Sequence, residues 1–218
     1  MIKPIHFLIV DDHPLFSQGL ASLITNVPGY KVVGEAVSIG EALTLVDEHP
    51  IDVALIDISL REENGLDLVR TLKGSHPKIR SLIISMYDET VYASAALKAG
   101  AKGYVMKQEA ASSLLEAIEQ VLANKVYLST EMQQRMLSTM VGREEETELD
   151  PVALLSLREL EVLRLIGHGY GVSEIGEALN LSVKTINVYR DNIRHKLDIG
   201  DAAQLRRFAI KWVKSQET

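Results

Sequence analysis

Asp52-Val53-Ala54-Leu55-Ile56-Asp57 is the stretch from which the fold is read. Four apolar residues in a row, closed at each end by an acid, suit a strand buried on both faces, as at the centre of a parallel sheet. Outward from it, similar short apolar runs stand at 5–10, 31–37, 80–85 and 103–106. Segments with helical spacing follow them at 14–25, 40–48, 65–73, 89–99 and 110–123. Strand then helix, five times over, predicts an α/β doubly wound five-stranded parallel sheet with helices on both faces. Pro28-Gly29, Pro50, Gly74, Pro77 and Gly100 stand where the chain must reverse.

Past residue 123 the pattern changes. Ser129 is placed to cap a short helix from Thr130 to Met140, and Gly142–Pro151 then holds five acids and almost no apolar side chain, the composition of a solvated tether. Ser156-Leu157-Arg158-Glu159 is a capping box that opens a helix to about His168. Gly169-Tyr170-Gly171 breaks it, a short helix runs to Leu179, and Ser182 caps another to Leu197. Asp201 starts a last helix toward Val213. Two helices joined by a tight turn inside a small all-α four-helix unit predict a helix-turn-helix domain. The expected division is 1–123, a linker with a short helix at 124–151, and 152–218.

Composition narrows the function classes. The 218 residues are 46% hydrophobic and 24% charged, an ordinary globular balance. There is no cysteine, which excludes a disulfide framework, thiolate metal sites and cysteine catalysis. Aromatics at 5% argue against a base-stacking platform. The longest uncharged run, His13–Tyr30, is broken by prolines, glycines and polar residues, so no membrane span is expected and the chain is read as soluble and cytoplasmic. Charge is uneven. Residues 1–151 carry 13 basic and 22 acidic side chains, while 152–218 carry 10 and 8. An acidic front and a mildly basic back suit two domains with different partners.

Ligands of a doubly wound sheet bind at the carboxyl ends of its strands. There the sequence places Asp11-Asp12, Asp57, Ser85 and, after the fifth strand, Lys107. Clustered carboxylates repel one another unless a cation joins them, and an all-oxygen donor set suits Mg²⁺. A carboxylate beside that ion can act as a nucleophile and become an aspartyl phosphate. Any one of these residues is ordinary as a cap or a rim acid. Five at the correct strand ends are not.

The front domain resembles the receiver domain of two-component response regulators over residues 4–123. The resemblance rests on Val10-Asp11-Asp12-His13-Pro14, Ile56-Asp57-Ile58-Ser59, Gly65-Leu66, Ile84-Ser85-Met86 and Gly103-Tyr104-Val105-Met106-Lys107. It implies a flavodoxin-like fold in which Asp57 accepts a phosphoryl group from a sensor histidine kinase. It implies that Asp12, Asp57 and the backbone carbonyl of Ser59 bind Mg²⁺, with Asp11 helping through water. Ser85 is then the switch hydroxyl, Tyr104 the coupled aromatic and Lys107 the phosphate's partner. The family usually has proline where Arg61 stands, and Arg61-Glu62-Glu63 is a more charged loop than usual.

On a wheel of the Ser182–Leu197 helix, Ile186, Tyr189, Ile193 and Leu197 form one apolar stripe. Lys184, Asn187, Val188, Asp191 and His195 lie opposite, flanked by Arg190 and Arg194 on one edge and Lys196 on the other. A plain amphipathic surface helix gives the same wheel. A polar face edged by cations also suits a DNA major groove, with Asn187 toward adenine and Val188 toward a thymine methyl. Residues 154–210 resemble the LuxR-type helix-turn-helix through Leu157, Arg158–Leu163, Gly169, Glu174-Ile175, Leu179, Ser182, Lys184-Thr185-Ile186, Tyr189 and Lys196-Leu197. That resemblance implies that Lys184 and Thr185 hold phosphates while Asn187, Val188 and Asp191 face base edges. It departs from the family at Gly171 and Gly176, expected to loosen the first helix of the motif.

The two resemblances together describe the NarL/FixJ class, transcription regulators rather than enzymes. They imply double-stranded promoter DNA, a sensor histidine kinase and RNA polymerase as partners, and a homodimer when phosphorylated. Two other readings stand beside this one. A Mg²⁺-dependent aspartyl-phosphate phosphohydrolase carries Asp-x-Asp after its first strand, where this chain has Asp11-Asp12-His13. A phosphorylation-independent regulator has no use for an intact acidic pocket.

Overall fold

The computed structural model describes residues 4–60, 63–109, 111–141, 152 and 155–216. The chain divides into two compact units, Met1–Arg143 and Glu144–Thr218. In the first, five strands pair in parallel in the order β2-β1-β3-β6-β7. They are β1 (Ile5–Val10), β2 (Tyr30–Ala36), β3 (Val53–Ile56), β6 (Arg80–Ser85) and β7 (Gly103–Met106). The helices between and after them are α1 (Pro14–Thr25), α2 (Ile39–Glu48), α3 (Gly65–Ser75), α4 (Glu89–Ala99) and α5 (Ala111–Leu122). β3 is central and all four of its side chains are buried, as its unbroken apolar run requires.

Local chemistry sets the helix starts. Pro14 opens α1 with its φ already suited to a helix. Ser38, Asn64 and Asp88 accept hydrogen bonds from the backbone N–H groups of Glu41, Leu66 and Thr90. Alternation along the strands then divides the core into two layers. Phe7, Ile9, Leu55, Leu82, Ile84 and Val105 meet Leu20 and Ile24 of α1 and Leu114, Ala117, Ile118 and Val121 of α5. α2 and α4 pack on the sheet as well, against β1, β2 and β7.

Strand order positions the site. The chain runs from β1 out to the edge strand β2, then returns to place β3 on the other side of β1. Val10 pairs with Ile56, so the residues that follow them, Asp11 and Asp57, emerge side by side at a topological switch point.

Two features have no counterpart in the sequence reading. A two-residue hairpin, β4 (Ser59–Leu60) with β5 (Glu63–Asn64), closes the loop after Asp57. Strands this short leave no alternation to read. The Arg61-Glu62 part of that loop lies outside the described residues, as does the acidic run from 142. Second, Tyr127 runs beside β7, its N–H on the Lys102 carbonyl at 2.9 Å and its own carbonyl taking the Tyr104 N–H at 3.1 Å. Helix α6 (Thr130–Val141) follows, with Ser129 Oγ accepting from the Met132 N–H, and it belongs to the first unit.

Among the described residues, the second unit has four α-helices, α7 (Leu157–Gly167), α8 (Val172–Leu179), α9 (Val183–Lys196) and α10 (Ala202–Gln216). α7 begins in a complete Ser156/Glu159 capping box. Gly171 offers no side-chain cap, and its N–H donates to Glu174 Oε2 at 2.6 Å instead. Asn180 ends α8 at φ 55°, a left-handed position that Asn tolerates. Gly176 packs closely against the turn that follows α8. Its carbonyl accepts the Leu181 N–H at 2.8 Å, and a Cβ on it would stand 2.8 Å from the Leu181 carbonyl oxygen. Ser182 caps α9 by accepting from the Thr185 N–H, and Ile186 and Ile193 enter a core with Leu163, Ile175, Leu205 and Trp212.

Candidate functional site

Asp11 and Asp57 are buried, Asp57 to 4% exposure. Lys107 follows β7, and its ammonium reaches both: Nζ lies 2.6 Å from Asp11 Oδ2 and 2.7 Å from Asp57 Oδ2. The Phe16 ring lies under it, 4.5 Å from Nζ to centroid, an attractive cation–π placement. Asp57 Oδ1 accepts the Ser59 N–H at 3.3 Å. One ammonium against two buried carboxylates, with half-buried Asp12 alongside, leaves the pocket short of positive charge.

His13 completes the cluster and was not singled out as a site residue by sequence reasoning. Its Nδ1 lies 3.0 Å from Asp12 Oδ1, 3.2 Å from Asp11 Oδ1 and 3.8 Å from Asp57 Oδ2. The available signal was its place directly after the Asp pair. Only the fold puts it near Asp57, 44 positions on.

Burial pushes the Asp57 carboxyl up from 3.8 to about 6, with the Lys107 ammonium opposing the rise and Asp11 adding to it. The sign follows. The folded state holds the proton more tightly than the unfolded state, so this group contributes stability below about pH 4. That contribution is lost as pH rises through about 6. In metal-free buffer, Asp57→Asn should therefore gain stability over the wild type between pH 4 and 7. About two pKa units set the ceiling near 3 kcal/mol. Urea unfolding at each pH measures it, and a margin that stays flat would contradict the assignment.

Ser85 and Tyr104 lie on neighbouring strands and are fully buried. Ser85 Oγ accepts the Tyr87 N–H at 3.2 Å, and its carbonyl accepts the Lys107 N–H at 2.7 Å, which fixes the base of the lysine. Tyr104 donates its hydroxyl to the Tyr87 carbonyl at 2.9 Å, and burial holds its phenol above the ordinary range. The loop from Ser85 to Asp88 is thus tied to both residues. Next along the chain, buried Glu89 accepts the Ser129 N–H at 2.9 Å. Burial raises this carboxyl too, with the Ser129 hydrogen bond acting against it. The start of α6 is therefore fastened to α4 and to the Tyr104 strand, a connection the sequence did not announce.

On α9 the apolar stripe faces inward as its spacing requires. Lys184, Asn187, Val188 and Asp191 are exposed, Val188 to 51%. Thr185 is half-buried, with Oγ1 2.7 Å from Ser182 Oγ. Arg190 donates to Asn187 Oδ1 at 3.2 Å. Arg194 donates to Asp191 Oδ1 and to the Gly200 carbonyl, bracing the turn into α10. Lys196 has a role the wheel does not show. Its Nζ lies 2.6 Å from buried Glu159 Oε2, so this exposed residue also ties α9 to the α7 capping box.

Comparisons with known proteins bear on both parts of the chain. Residues 7–119 match the response regulator receiver domain, and 153–209 match the bacterial regulatory proteins of the luxR family. The oxygen regulatory protein NreC of Staphylococcus haemolyticus is 34% identical over 208 residues, covering 94% of this chain and 96% of its own. A crystal structure of a LuxR-family two-component response regulator from Aurantimonas sp. SI85-9A1 is 34% identical, with TM-score 0.59, covering 64% of this chain and 99% of its own. A complex of the response regulator RcsB with DNA is 25% identical, with TM-score 0.58, covering 94% and 98%. The chain belongs to the response regulators that join a receiver domain to a LuxR-type helix-turn-helix domain. These are two-component transcription regulators of the NarL/FixJ class and not enzymes, which removes the phosphohydrolase reading.

Proposed function

We propose that phosphorylation of Asp57 switches this chain into a promoter-binding dimer. The observation that carries the reading is the buried Asp11–Lys107–Asp57 cluster at the switch point of the sheet. An Asp57 carboxylate oxygen attacks the phosphorus of a kinase phosphohistidine. The P–N bond breaks, an acyl phosphate P–O bond forms, and the imidazole leaves with a proton. Asp12, Asp57 and the Ser59 carbonyl are the residues to hold Mg²⁺, with Asp11 acting through water. The donor set fits, being oxygen-rich and short of positive charge. When bound, the ion neutralises charge on the phosphoryl oxygens. Lys107 pairs with the phosphate, Ser85 turns its hydroxyl toward it, and Tyr104 follows, altering the surface around residues 86–118.

The functional division is a receiver at 1–123, a connecting segment at 124–151 and a DNA reader at 152–218. In the reader, Lys184 and Thr185 hold phosphates, with Arg190 and Arg194 beside them, while Asn187, Val188 and Asp191 face base edges. The RcsB–DNA complex supports this use of the second unit. α10 pairs two copies so that their recognition helices meet half-sites about one helical turn apart. A sensor histidine kinase, RNA polymerase and promoter DNA are the partners, in the cytoplasm. Among the described residues, no helix is long and apolar enough to cross a membrane.

Gel filtration and DNA-fragment selection, each with and without acetyl phosphate and Mg²⁺, test the reading. A shift to dimer with tighter selection of DNA is expected. Failure to bind Mg²⁺ or gain a phosphoryl group would leave a regulator controlled some other way. Lys184→Ala should weaken binding on every DNA sequence alike and lower the salt slope by about one ion. A loss confined to particular sequences would instead place Lys184 on a base.

A further inference from the structure

We propose that the His13 imidazole is an additional protein donor to the divalent ion of the acidic pocket, and that it turns the site's preference from Mg²⁺ toward a borderline transition ion. The inference deepens the proposed function and rests on reading this pocket as a metal site. Geometry carries it. Six donors around an ion at about 2.1 Å stand about 3 Å from their neighbours. His13 Nδ1 lies 3.0 Å from Asp12 Oδ1, an oxygen of a direct ligand in the proposed site, and 3.2 Å from Asp11 Oδ1, which meets the ion through water. Together with an oxygen of Asp57, these atoms all fall within 4.8 Å of one another. The nitrogen thus stands at the spacing of a neighbouring ligand.

That nitrogen stands at hydrogen-bond distance from Asp11 Oδ1, a contact that an ion would replace, and Lys107 does not compete for it. Lys107 takes the Oδ2 atoms of Asp11 and Asp57, while His13 faces Oδ1 of Asp11 and Asp12. The His13 N–H also donates to Asp11 Oδ1 at 2.9 Å, which fixes the residue's backbone at the start of α1. The ring is 63% exposed, so an ion carrying waters can reach it. The chemical consequence follows from donor type. Carboxylate and carbonyl oxygens alone suit Mg²⁺. An imidazole adds affinity for Ni²⁺, Co²⁺ or Zn²⁺ and little for Mg²⁺.

The test is calorimetric titration of the full metal-free chain with Mg²⁺ and with Ni²⁺, on wild type, His13→Ala and Asp57→Ala. Counting only the Ni²⁺ that excess Mg²⁺ displaces sets aside the other histidines. Pulsed electron paramagnetic resonance of the Mn²⁺-loaded chain reads the nitrogen directly. His13→Ala should weaken this Ni²⁺ binding at least tenfold, leave Mg²⁺ within threefold and abolish the nitrogen coupling. Unchanged Ni²⁺ affinity, or no nitrogen coupling in wild type, would overturn the role of His13 and leave the Mg²⁺ site standing. Tighter binding of both ions to His13→Ala would overturn it too, because the imidazole would then be a competing cation. Absence of Mg²⁺ binding to wild type, or Mg²⁺ binding unaltered by Asp57→Ala, would bring down the metal reading itself.

Discussion

Asp57→Ala is expected to gain no phosphoryl group under conditions where the wild-type chain gains one. Incubation with acetyl phosphate and Mg²⁺ followed by intact mass measurement reads the result directly. A phosphoryl group adds about 80 Da and close to two negative charges. The case for so complete a loss is positional. Asp57 is the acid at the end of the central strand that meets Lys107, and Ser59 is fastened to it by its N–H. Asp11 also meets Lys107, but its other oxygen takes both the His13 N–H and the His13 ring. Gel filtration alongside should show dimer for the treated wild type and none for the variant. A phosphorylated Asp57→Ala chain would move the acceptor to another acid and undo the reading of the pocket.

Gly65→Ala is expected to give the largest effect from a single added methyl. Gly65 opens α3, and its N–H donates to the Ile58 carbonyl at 2.8 Å. A Cβ there would stand 2.0 Å from the Asp57 carbonyl oxygen and 3.0 Å from Ile56 Cγ2. The first contact is to backbone, so no side chain can swing aside. Either α3 or the end of β3 must move. Overpacking of this kind costs about 3 kcal/mol. A shift of about 1 Å at the acceptor lowers its reaction rate by about 10²-fold. Urea unfolding reads the first effect, and the rate of mass gain with acetyl phosphate reads the second. A variant of unchanged stability and rate would mean that the loop after Asp57 yields freely.

The acidic pocket was legible because each of its main residues ends or follows an apolar run. Asp11, Asp57, Ser85 and Lys107 are found by locating strands and reading the last residue or the one after it. His13 and Glu89 were not, for a physical reason. His13 acts through proximity to Asp57, and Glu89 through an N–H at Ser129, 40 positions away. Neither relation has a period or a spacing. Lys196 was read only in part. The helical wheel placed it on the edge of the polar face, but a wheel cannot see Glu159 waiting on another helix.

The sequence by itself determined the two-unit plan, the alternation of strand and helix, the acids at the strand ends and the apolar stripe of α9. All of these are local, set by the 2.0 and 3.6 periods and by capping chemistry acting within a few residues. Tertiary structure alone decided which strand ends meet, because order β2-β1-β3-β6-β7 is a matter of pairing between distant segments. It also decided that Tyr127 lies along β7 and that Gly65 presses on the Asp57 carbonyl. Such contacts arise only once a long loop has closed and the backbone has packed. The sequence carries their consequence, a glycine or a buried acid, without carrying their partner.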